Sequence, residues 1–200
     1  MLILFVAIRR GFFIGGVFLI DQIMVFNDTI KNYRWLQKKE KMKQQAYTFS
    51  YEIYSGVEEL TKADADLLLK AREVTENAYA PYSNFKVSAV ALLNNGNILT
   101  GTNQENASYP VTICAERVLL SAISSVYGNE PINTLAVSYS SKNSNKPISP
   151  CGMCRQMLAE YEERTNQPIR IILSGMKGEV YIINSVTDLL PLTFSGTALK

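Results

Sequence analysis

Helical and strand patterns alternate along this chain from residue 61 onward, and this alternation limits the folds open to it more than any other feature. Apolar residues first recur at helical spacing over residues 61–79. Strand-like runs and helical segments then follow at residues 87–93, 98–102, 114–127, 135–140, 151–164, 169–173 and 180–183. The order α-β-β-α-β-α-β-β predicts an α/β fold, with a mixed sheet and helices on its faces.

Turn and cap signals separate these segments. Thr61 is placed to cap the first helix, with Asp64 three residues later. Residues 80–84, Ala-Pro-Tyr-Ser-Asn, break that helix, and Asn-Gly at 95–96 is a strong signal for a hairpin turn. The chain contains no internal repeat, so a single domain is expected from residue 61 onward.

Composition excludes several functions. With 20 lysines and arginines against 18 aspartates and glutamates, the formal charge of +2 is too small to indicate DNA or RNA as an obligatory partner. The chain has three cysteines and no histidine, so it carries no Ser-His-Asp or Cys-His catalytic group and no histidine-bound metal. Three cysteines cannot all pair in disulfides, which favours a reducing compartment such as the cytoplasm.

Residues 1–41 differ from the rest of the chain. Two apolar runs, 1–8 and 11–20, flank Arg9 and Arg10, and neither reaches the roughly 20 residues that a membrane-spanning helix needs. In a signal peptide the positive charges would precede the apolar stretch. We therefore predict that residues 1–41 are wrongly assigned upstream sequence and that translation begins near Met42.

Under that hypothesis, residues 42–60 lead into a domain spanning residues 61–200. The alternative is a leader segment, which would be disordered or, because the segment is rich in apolar residues, membrane-associating. Mass spectrometry of the natural N-terminus decides between them, since a peptide mapping within residues 1–38 would contradict the first interpretation.

All three cysteines lie at the starts of two predicted helices. Cys151 and Cys154 are one turn apart on one helix, and Cys114 opens another. The unpaired N–H groups and partial positive charge of a helix N-terminus favour thiolate over thiol. Two thiolates from one helix and one from its neighbour form three corners of a tetrahedron around a soft divalent metal, for which zinc is the default.

The chain offers no cysteine or histidine as a fourth ligand, so a carboxylate, a group from another chain or water is left for that position. A position open to water is typical of catalytic zinc, whose bound water titrates near pH ~7. Glu116 lies two residues after Cys114, and burial beside thiolates is expected to raise its pKa, which suits a proton shuttle. Arg117 and Arg155 adjoin the ligands and are expected to hydrogen-bond the thiolates.

The cysteines have other interpretations. A single Cys-x-x-Cys pair also occurs in redox motifs and in zinc knuckles. A redox pair would leave Cys114 unexplained, and burial in a core would not explain why all three cysteines lie at helix starts. A structural metal site and a redox site therefore remain as alternatives to catalytic zinc.

Two motifs resemble those of the homotetrameric cytidine deaminases, namely Cys-Ala-Glu-Arg at 114–117 and Pro-Cys-Gly-Met-Cys-Arg-Gln at 150–156. Zinc deaminases use a zinc-activated water, a glutamate that moves protons and a Pro-Cys-x-x-Cys signature. The resemblance runs from about Thr61 to Phe194, about two-thirds of the chain. It includes Tyr-Ser-Asn-Phe at 82–85, Asn-Gln-Glu-Asn-Ala at 103–107 and Leu-Leu-Pro at 189–191.

This resemblance implies a three-layer α/β/α sandwich with a mixed five-stranded sheet. It implies hydrolytic deamination of cytidine and 2′-deoxycytidine to uridine and 2′-deoxyuridine with release of ammonia, within cytoplasmic pyrimidine salvage. One zinc ion per chain would be held by Cys114, Cys151 and Cys154, with Glu116 as the catalytic residue. The implied partners are a nucleoside substrate and three further copies of the chain, without nucleic acid or a membrane.

The resemblance also implies residues that bind the substrate. Asn103 and Glu105 match positions that hydrogen-bond the ribose 3′-hydroxyl, and residues two apart on a strand share a face. Phe85 would form an aromatic wall of the base pocket. Ala115 would donate its backbone N–H to the pyrimidine carbonyl, and the backbone carbonyl of Ser149 would accept from the exocyclic amine.

Tyr109 and Phe194 match residues that reach a neighbouring subunit's site. Gln156 joins Arg117 and Arg155 as a residue next to the metal ligands. Without the resemblance, a polar turn and ordinary packing would explain the asparagines and aromatic residues of these motifs equally well. One departure is Ser88, where the family commonly has glycine, and a small side chain there is expected to have little consequence.

Two other functions remain open. A related enzyme would deaminate a free base, a nucleotide or an aminonucleoside antibiotic. Asn103 and Glu105 argue against such an enzyme, because a ribose clamp has little use on a free base and a carboxylate repels a nearby phosphate. A binding module would hold a structural zinc and deaminate no cytosine compound. Residues 1–60 have no counterpart in the family that can be aligned.

Overall fold

A mixed sheet of six strands occupies the middle of the chain's described part, residues 43–199 of a computed structural model. The strands are β1 (Glu52–Tyr54), β2 (Lys86–Leu93), β3 (Ile98–Thr102), β4 (Ile132–Ser140), β5 (Arg170–Gly175) and β6 (Val180–Ile183). Their order across the sheet is β1-β6-β5-β4-β2-β3. The β4–β5 pair is parallel, and the other four pairs are antiparallel.

Three helices cover the two faces of this sheet: α1 (Lys62–Val74), α2 (Ala115–Tyr127) and α3 (Gly152–Thr165). Helix α1 packs on one face, where its buried leucines contact alternate strand residues such as Val90 and Ile172. Helices α2 and α3 pack on the other face, against the intervening residues such as Ala91 and Ile171. Because side chains alternate along a strand, one run of apolar residues supplies both cores.

The predicted three-layer α/β/α architecture and the order of its elements are confirmed. The sheet has six strands where five were predicted, because β1 adds to the edge of β6, with Ile53 opposite Tyr181. That strand has only three residues, and its Ile53 is 57% exposed, so no alternation of buried and exposed residues marks it in the sequence.

The first helix is shorter than predicted. It ends at Val74, continues as a 3-10 turn over Thr75–Asn77, and does not reach Tyr79. The Tyr79 N–H instead donates to the Asn103 carbonyl (3.1 Å), and the Glu105 N–H donates to the Tyr79 carbonyl (2.8 Å). This pairing outside the sheet helps to hold the 103–105 segment in place.

The capping and turn predictions hold. Thr61 accepts a hydrogen bond from the Asp64 N–H and caps α1. Gly96 has φ of 84°, in the left-handed region that the Asn-Gly hairpin turn requires. Strand β4 begins at Ile132, three residues before the predicted start, because Asn133 and Thr134 interrupt the apolar pattern in the sequence.

The predictions for residues 1–41, and for a start near Met42, lie outside the described residues. Between residues 43 and 199, no helix combines the length and apolar character that crossing a membrane requires. Residues Tyr47–Lys200 form one compact unit, which begins before the predicted domain start at residue 61.

Candidate active site

A cavity of about 400 Å³ opens at one end of the sheet, where β2 begins and β3 and β4 end. The first turns of α2 and α3 form its floor, and residues from β2 and from the segment after β3 form its sides. The cavity is lined by nine of the predicted site residues: Phe85, Asn103, Glu105, Cys114, Ala115, Glu116, Ser149, Cys151 and Cys154.

Gly101 on β3 permits this arrangement. A Cβ at this position would lie 2.6 Å from the Ala115 carbonyl oxygen and 2.6 Å from the Leu119 nitrogen. Any side chain would therefore push the first turns of α2 away from the sheet. Gly101 could not be assigned to the site from the sequence, because a single glycine inside a strand indicates a close backbone contact without showing which element makes it.

The three cysteines converge at the floor of the cavity. Cys114 and Cys151 are the N-cap residues of α2 and α3, and Cys154 lies in the first turn of α3. The Sγ atoms of Cys114 and Cys151 are 3.9 Å apart, those of Cys151 and Cys154 are 3.5 Å apart, and all three lie within 4.8 Å of one another.

These distances fit a tetrahedral metal ion. Sulfur ligands about 2.3 Å from zinc lie about 3.8 Å from each other in a tetrahedral site. The three thiols supply three ligands, and Glu116 is not part of the cluster. This donor set suits zinc with one position left for a non-protein ligand.

The thiols influence each other's ionisation. Hydrogen bonding from Cys154, the largest effect, and from Cys151 outweighs burial and lowers the pKa of Cys114 to about 6. The hydrogen bond that Cys154 donates to Cys114, which has the largest effect, and burial raise the pKa of Cys154. The protein alone thus stabilises one thiolate at the expense of its neighbour, and a bound cation would be needed to hold all three ionised.

Glu116 follows in the first turn of α2 and is 4% exposed. Burial raises the pKa of its carboxyl, as predicted, and this effect exceeds the opposing hydrogen bonds from its own backbone and from Cys154. A carboxyl with a raised pKa in a cavity wall takes up a proton more readily than an exposed glutamate does. The geometry therefore suits the predicted proton shuttle.

Asn103 lies at the side of the cavity, directly after β3. Its Oδ1 accepts from the Val87 N–H (2.7 Å), and its Nδ2 donates to the Phe85 carbonyl (2.9 Å). The amide therefore joins the end of β3 to the start of β2. One lone pair on Oδ1 and one N–H on Nδ2 remain for a ligand.

Glu105 also faces the cavity, two residues further on. One carboxylate oxygen accepts from the N–H groups of Tyr82 (2.9 Å) and Ser83 (3.3 Å), and the other accepts from the Ser83 hydroxyl (2.5 Å). Hydrogen bonds from the Ser83 hydroxyl, which has the largest effect, and from the backbone N–H groups lower the pKa of Glu105. Its carboxylate is therefore charged at neutral pH. Glu105 thereby holds the 82–85 segment beside the cavity.

Phe85 forms part of the opposite wall and is 36% exposed. Its ring stacks on Tyr139, with centroids 5.1 Å apart and planes inclined by 25°. The buried Tyr139 also donates from its hydroxyl to the Lys146 carbonyl (2.8 Å), which places the loop after β4. Tyr139 could not be assigned to the site from the sequence, because an aromatic residue near the end of a predicted strand is usually a core residue.

Two backbone groups complete the cavity. Ala115 is fully buried at the first position of α2, where a backbone N–H has no partner within the helix. Ser149 is exposed in the loop before α3 and lines the cavity. Both lie where the resemblance implies contacts to a pyrimidine.

The expectation that Arg155 hydrogen-bonds the thiolates is wrong. Its guanidinium donates to the carbonyls of Pro150 (2.8 Å) and Leu189 (2.8 Å) and to the Ser149 hydroxyl (2.9 Å). The side chain turns back along the loop before α3 because the carbonyl groups there need donors. Gln156 donates to the Phe194 carbonyl (2.9 Å) and not to a ligand.

Arg117 lies near the metal ligands as expected, and its charge helps to lower the pKa of Cys114. The remaining two predicted residues, Tyr109 and Phe194, are not brought into the cavity. They are 84% and 61% exposed in the single chain.

Comparison with known proteins agrees with this geometry. The zinc-binding region of the cytidine and deoxycytidylate deaminases matches residues 61–166. A cytidine deaminase of Halalkalibacterium halodurans is 38% identical over 133 residues, which cover 66% of this chain and 95% of that protein. One of Sporosarcina psychrophila is 38% identical over 130 residues, covering 64% of this chain and 89% of that protein.

A solved structure leads to the same family. The crystal structure of a cytidine deaminase from Burkholderia pseudomallei superposes with a TM-score of 0.57 at 38% sequence identity. The match covers 68% of this chain and 100% of that chain.

Proposed function

Because this chain belongs to the cytidine and deoxycytidylate deaminase family, we propose that it catalyses the zinc-dependent hydrolysis of cytidine to uridine and ammonia. The observation that carries the proposal is the cluster of three thiols, all within 4.8 Å of one another, at the floor of a cavity that Glu116 also lines. Cys114, Cys151 and Cys154 would hold one zinc ion. When bound, zinc lowers the pKa of a coordinated water, so that a nucleophilic hydroxide is available near neutral pH.

Glu116 performs the proton transfers. Its buried carboxylate accepts the proton that the attacking water loses and delivers it to N3 of the pyrimidine. The water oxygen bonds to C4 of the ring, and the same carboxyl then carries the proton of the new C4 hydroxyl to the exocyclic amine. The C4–N bond breaks, ammonia leaves, and the C4 oxygen becomes the carbonyl of uridine. Burial raises its pKa, so the protonated form is populated at a pH where an exposed glutamate would be fully ionised.

The pyrimidine is held by its edges and by one face. The Ala115 N–H donates to the carbonyl at position 2, and the Ser149 carbonyl accepts from the exocyclic amine. Phe85, supported from behind by Tyr139, packs against the ring. These groups orient the reacting carbon without changing charge during the reaction.

The ribose lies toward Asn103 and Glu105, which line the side of the cavity. Glu105 is charged, because Ser83 and nearby N–H groups lower its pKa. A hydroxyl donates readily to a carboxylate, whereas a phosphate is repelled by it. We therefore infer that cytidine and 2′-deoxycytidine are substrates and that the corresponding nucleotides are not.

The proposal extends to assembly and location. Tyr109 and Phe194 are exposed in the single chain, together with Val111 (63%) and Leu192 (104%). Their exposure leaves apolar surface free for contact with another subunit, which supports a homotetramer in which each subunit completes its neighbour's site. Three free thiols favour the cytoplasm, where the reaction would serve pyrimidine salvage.

A substrate panel tests the proposed function. The full-length protein is incubated with cytidine, 2′-deoxycytidine, cytosine and cytidine 5′-monophosphate, and the loss of cytosine-ring absorbance is followed. Turnover of the two nucleosides alone is expected. Activity on cytosine or the nucleotide would refute the ribose clamp, and one zinc per chain without any deamination would favour a structural metal site.

A further inference from the structure

A second cavity lies behind the loop that carries Ser149. Its volume is about 470 Å³, and Ile148 and Ser149 line it as well as the active-site cavity. The loop is therefore a thin partition with open space on both sides. Because Ile148 and Ser149 border open space on both sides, hydrogen bonds contribute to the position of the loop there.

Arg155 supplies hydrogen bonds at the Ser149–Pro150 end of this loop, as the Tyr139 hydroxyl does at Lys146. Nε donates to the Pro150 carbonyl and one terminal nitrogen donates to the Ser149 hydroxyl, at 2.8 and 2.9 Å. The other terminal nitrogen donates to the Leu189 carbonyl at 2.8 Å. Within residues 43–199 this guanidinium forms no ion pair. All three acceptors are neutral, so the planar guanidinium connects the loop before α3 to Leu189 through hydrogen bonds and not through an ion pair. This set of hydrogen bonds is called the link below.

Glu162 anchors the far end of this link. It lies seven residues after Arg155 on α3, and residues seven apart share a helix face. The carboxylate, 6% exposed, accepts from the Ser185 hydroxyl (2.6 Å) and from the N–H groups of Thr187 (3.0 Å) and Ile169 (3.0 Å). Glu162 thus holds the start of the Val186–Leu189 turn, and Arg155 holds its end.

We propose that Arg155 is a positioning residue that ties Ser149 and Pro150 to the Val186–Leu189 turn, with Glu162 fixing that turn. The link sets the position of the Ser149 carbonyl, and this inference rests on the proposed function, in which that carbonyl accepts from the cytidine amine. Uridine has no amine at this position. The link therefore contributes to the preference for cytidine over uridine.

R155Q tests the inference in the full-length enzyme. Without the three hydrogen bonds of the guanidinium, kcat/KM for cytidine should fall about tenfold or more, as expected for loss of charge-assisted hydrogen bonds. Inhibition by uridine should change less than about twofold, since uridine does not use the displaced carbonyl. Zinc content should stay at the wild-type value, because Arg155 contacts no thiolate.

A matched control is R164Q on the same helix. Arg164 bonds the Ser124 hydroxyl and lies over the Tyr161 ring, away from the loop, so its kinetics should equal those of the wild type. S149A removes one acceptor of the link and should lower kcat/KM for cytidine about threefold with unchanged uridine inhibition. It keeps the test decisive if R155Q folds poorly.

Three outcomes overturn the inference. They are an unchanged kcat/KM in R155Q and S149A, an equal weakening of uridine binding, and a loss of zinc together with activity. A wild-type enzyme that deaminates none of the four cytosine compounds would instead refute the proposed function, and the inference with it. Measuring deamination by the wild type first therefore separates failure of the inference from failure of the proposed function.

Discussion

The two sides of the active-site cavity are built in different ways. The metal side, Cys114, Glu116, Cys151 and Cys154, stands on the first turns of two helices. The nucleoside side, Phe85, Asn103 and Glu105, lies on segments outside the helices, beside the ends of two strands. The metal side is thus placed by secondary structure, and the nucleoside side by side-chain hydrogen bonds.

The two sides also differ in what remains for a ligand. The thiols of the metal side contact mainly one another and compete for protons. A bound cation would offset the repulsion between their negative charges. Asn103 and Glu105 already bond the backbone of the 82–87 region. The nucleoside side is therefore preorganised, and the metal side is completed by its cofactor.

The largest expected effect is on the metal side, from E116Q. An amide cannot carry a proton from water to the pyrimidine, so kcat should fall about 10²–10⁴-fold. Zinc content should not change, since Glu116 is outside the thiol cluster. E73Q, at an exposed glutamate of α1, is the matched control and should retain full activity. Near-normal turnover in E116Q would contradict the mechanism.

A smaller effect is expected on the nucleoside side, from E105Q. The amide offers one acceptor where the carboxylate offered two, and it loses the charge that favours a hydroxyl donor. We expect kcat/KM for cytidine to fall by about 10- to 100-fold, with zinc content unchanged.

The pH dependence sharpens this comparison. Because the pKa of Glu105 is lowered, its carboxylate is charged at every pH above the ordinary glutamate value of about 4.3. Wild type and E105Q should therefore show parallel profiles of kcat/KM above pH ~5. An acid limb present only in the wild type would show that Glu105 titrates in the working range.

Much of the metal side could be predicted from the sequence, because its ligands adjoin helix starts and their spacing is local. The positions of Cys114 and Cys151 at helix N-termini follow from such patterns. The strand at Glu52–Tyr54 could not be predicted, because three half-exposed residues carry no periodicity.

The hydrogen-bond partners of long polar side chains also could not be predicted from the sequence. Arg155 was expected to contact thiolates, since it follows a ligand directly, but its guanidinium reaches Leu189, which is 34 residues away in the chain. Such a contact depends on how α3 packs against the turn after β6. For the same reason, Tyr139 and Gly101 could not be assigned to the site before their neighbours were known.

The smallest effect is expected within the core, at two serines that lie opposite each other on β2 and β4. The buried Ser88 hydroxyl donates to the Ala71 carbonyl, whereas the buried Ser138 hydroxyl has no hydrogen-bond partner within residues 43–199. S88A should lower the free energy of unfolding by about 1 kcal/mol, and S138A should leave it unchanged or raise it.

Denaturant unfolding of the two variants checks this prediction, with cytidine turnover as the control. Both should retain wild-type activity, because the serines lie on the sheet face that α1 covers. An equal loss of stability in S88A and S138A would show that the two hydroxyls are equivalent. Ser88 would then have no structural role beyond its small size.

The central claim, a catalytic zinc on three thiolates, is tested most directly by measuring zinc content and cytidine turnover together. The full-length protein is assayed as purified, after removal of metal with a chelator, and after zinc is added back. We expect one zinc per chain, loss of ammonia release in proportion to the zinc removed, and recovery when zinc returns. Full turnover by the metal-free protein would contradict the account.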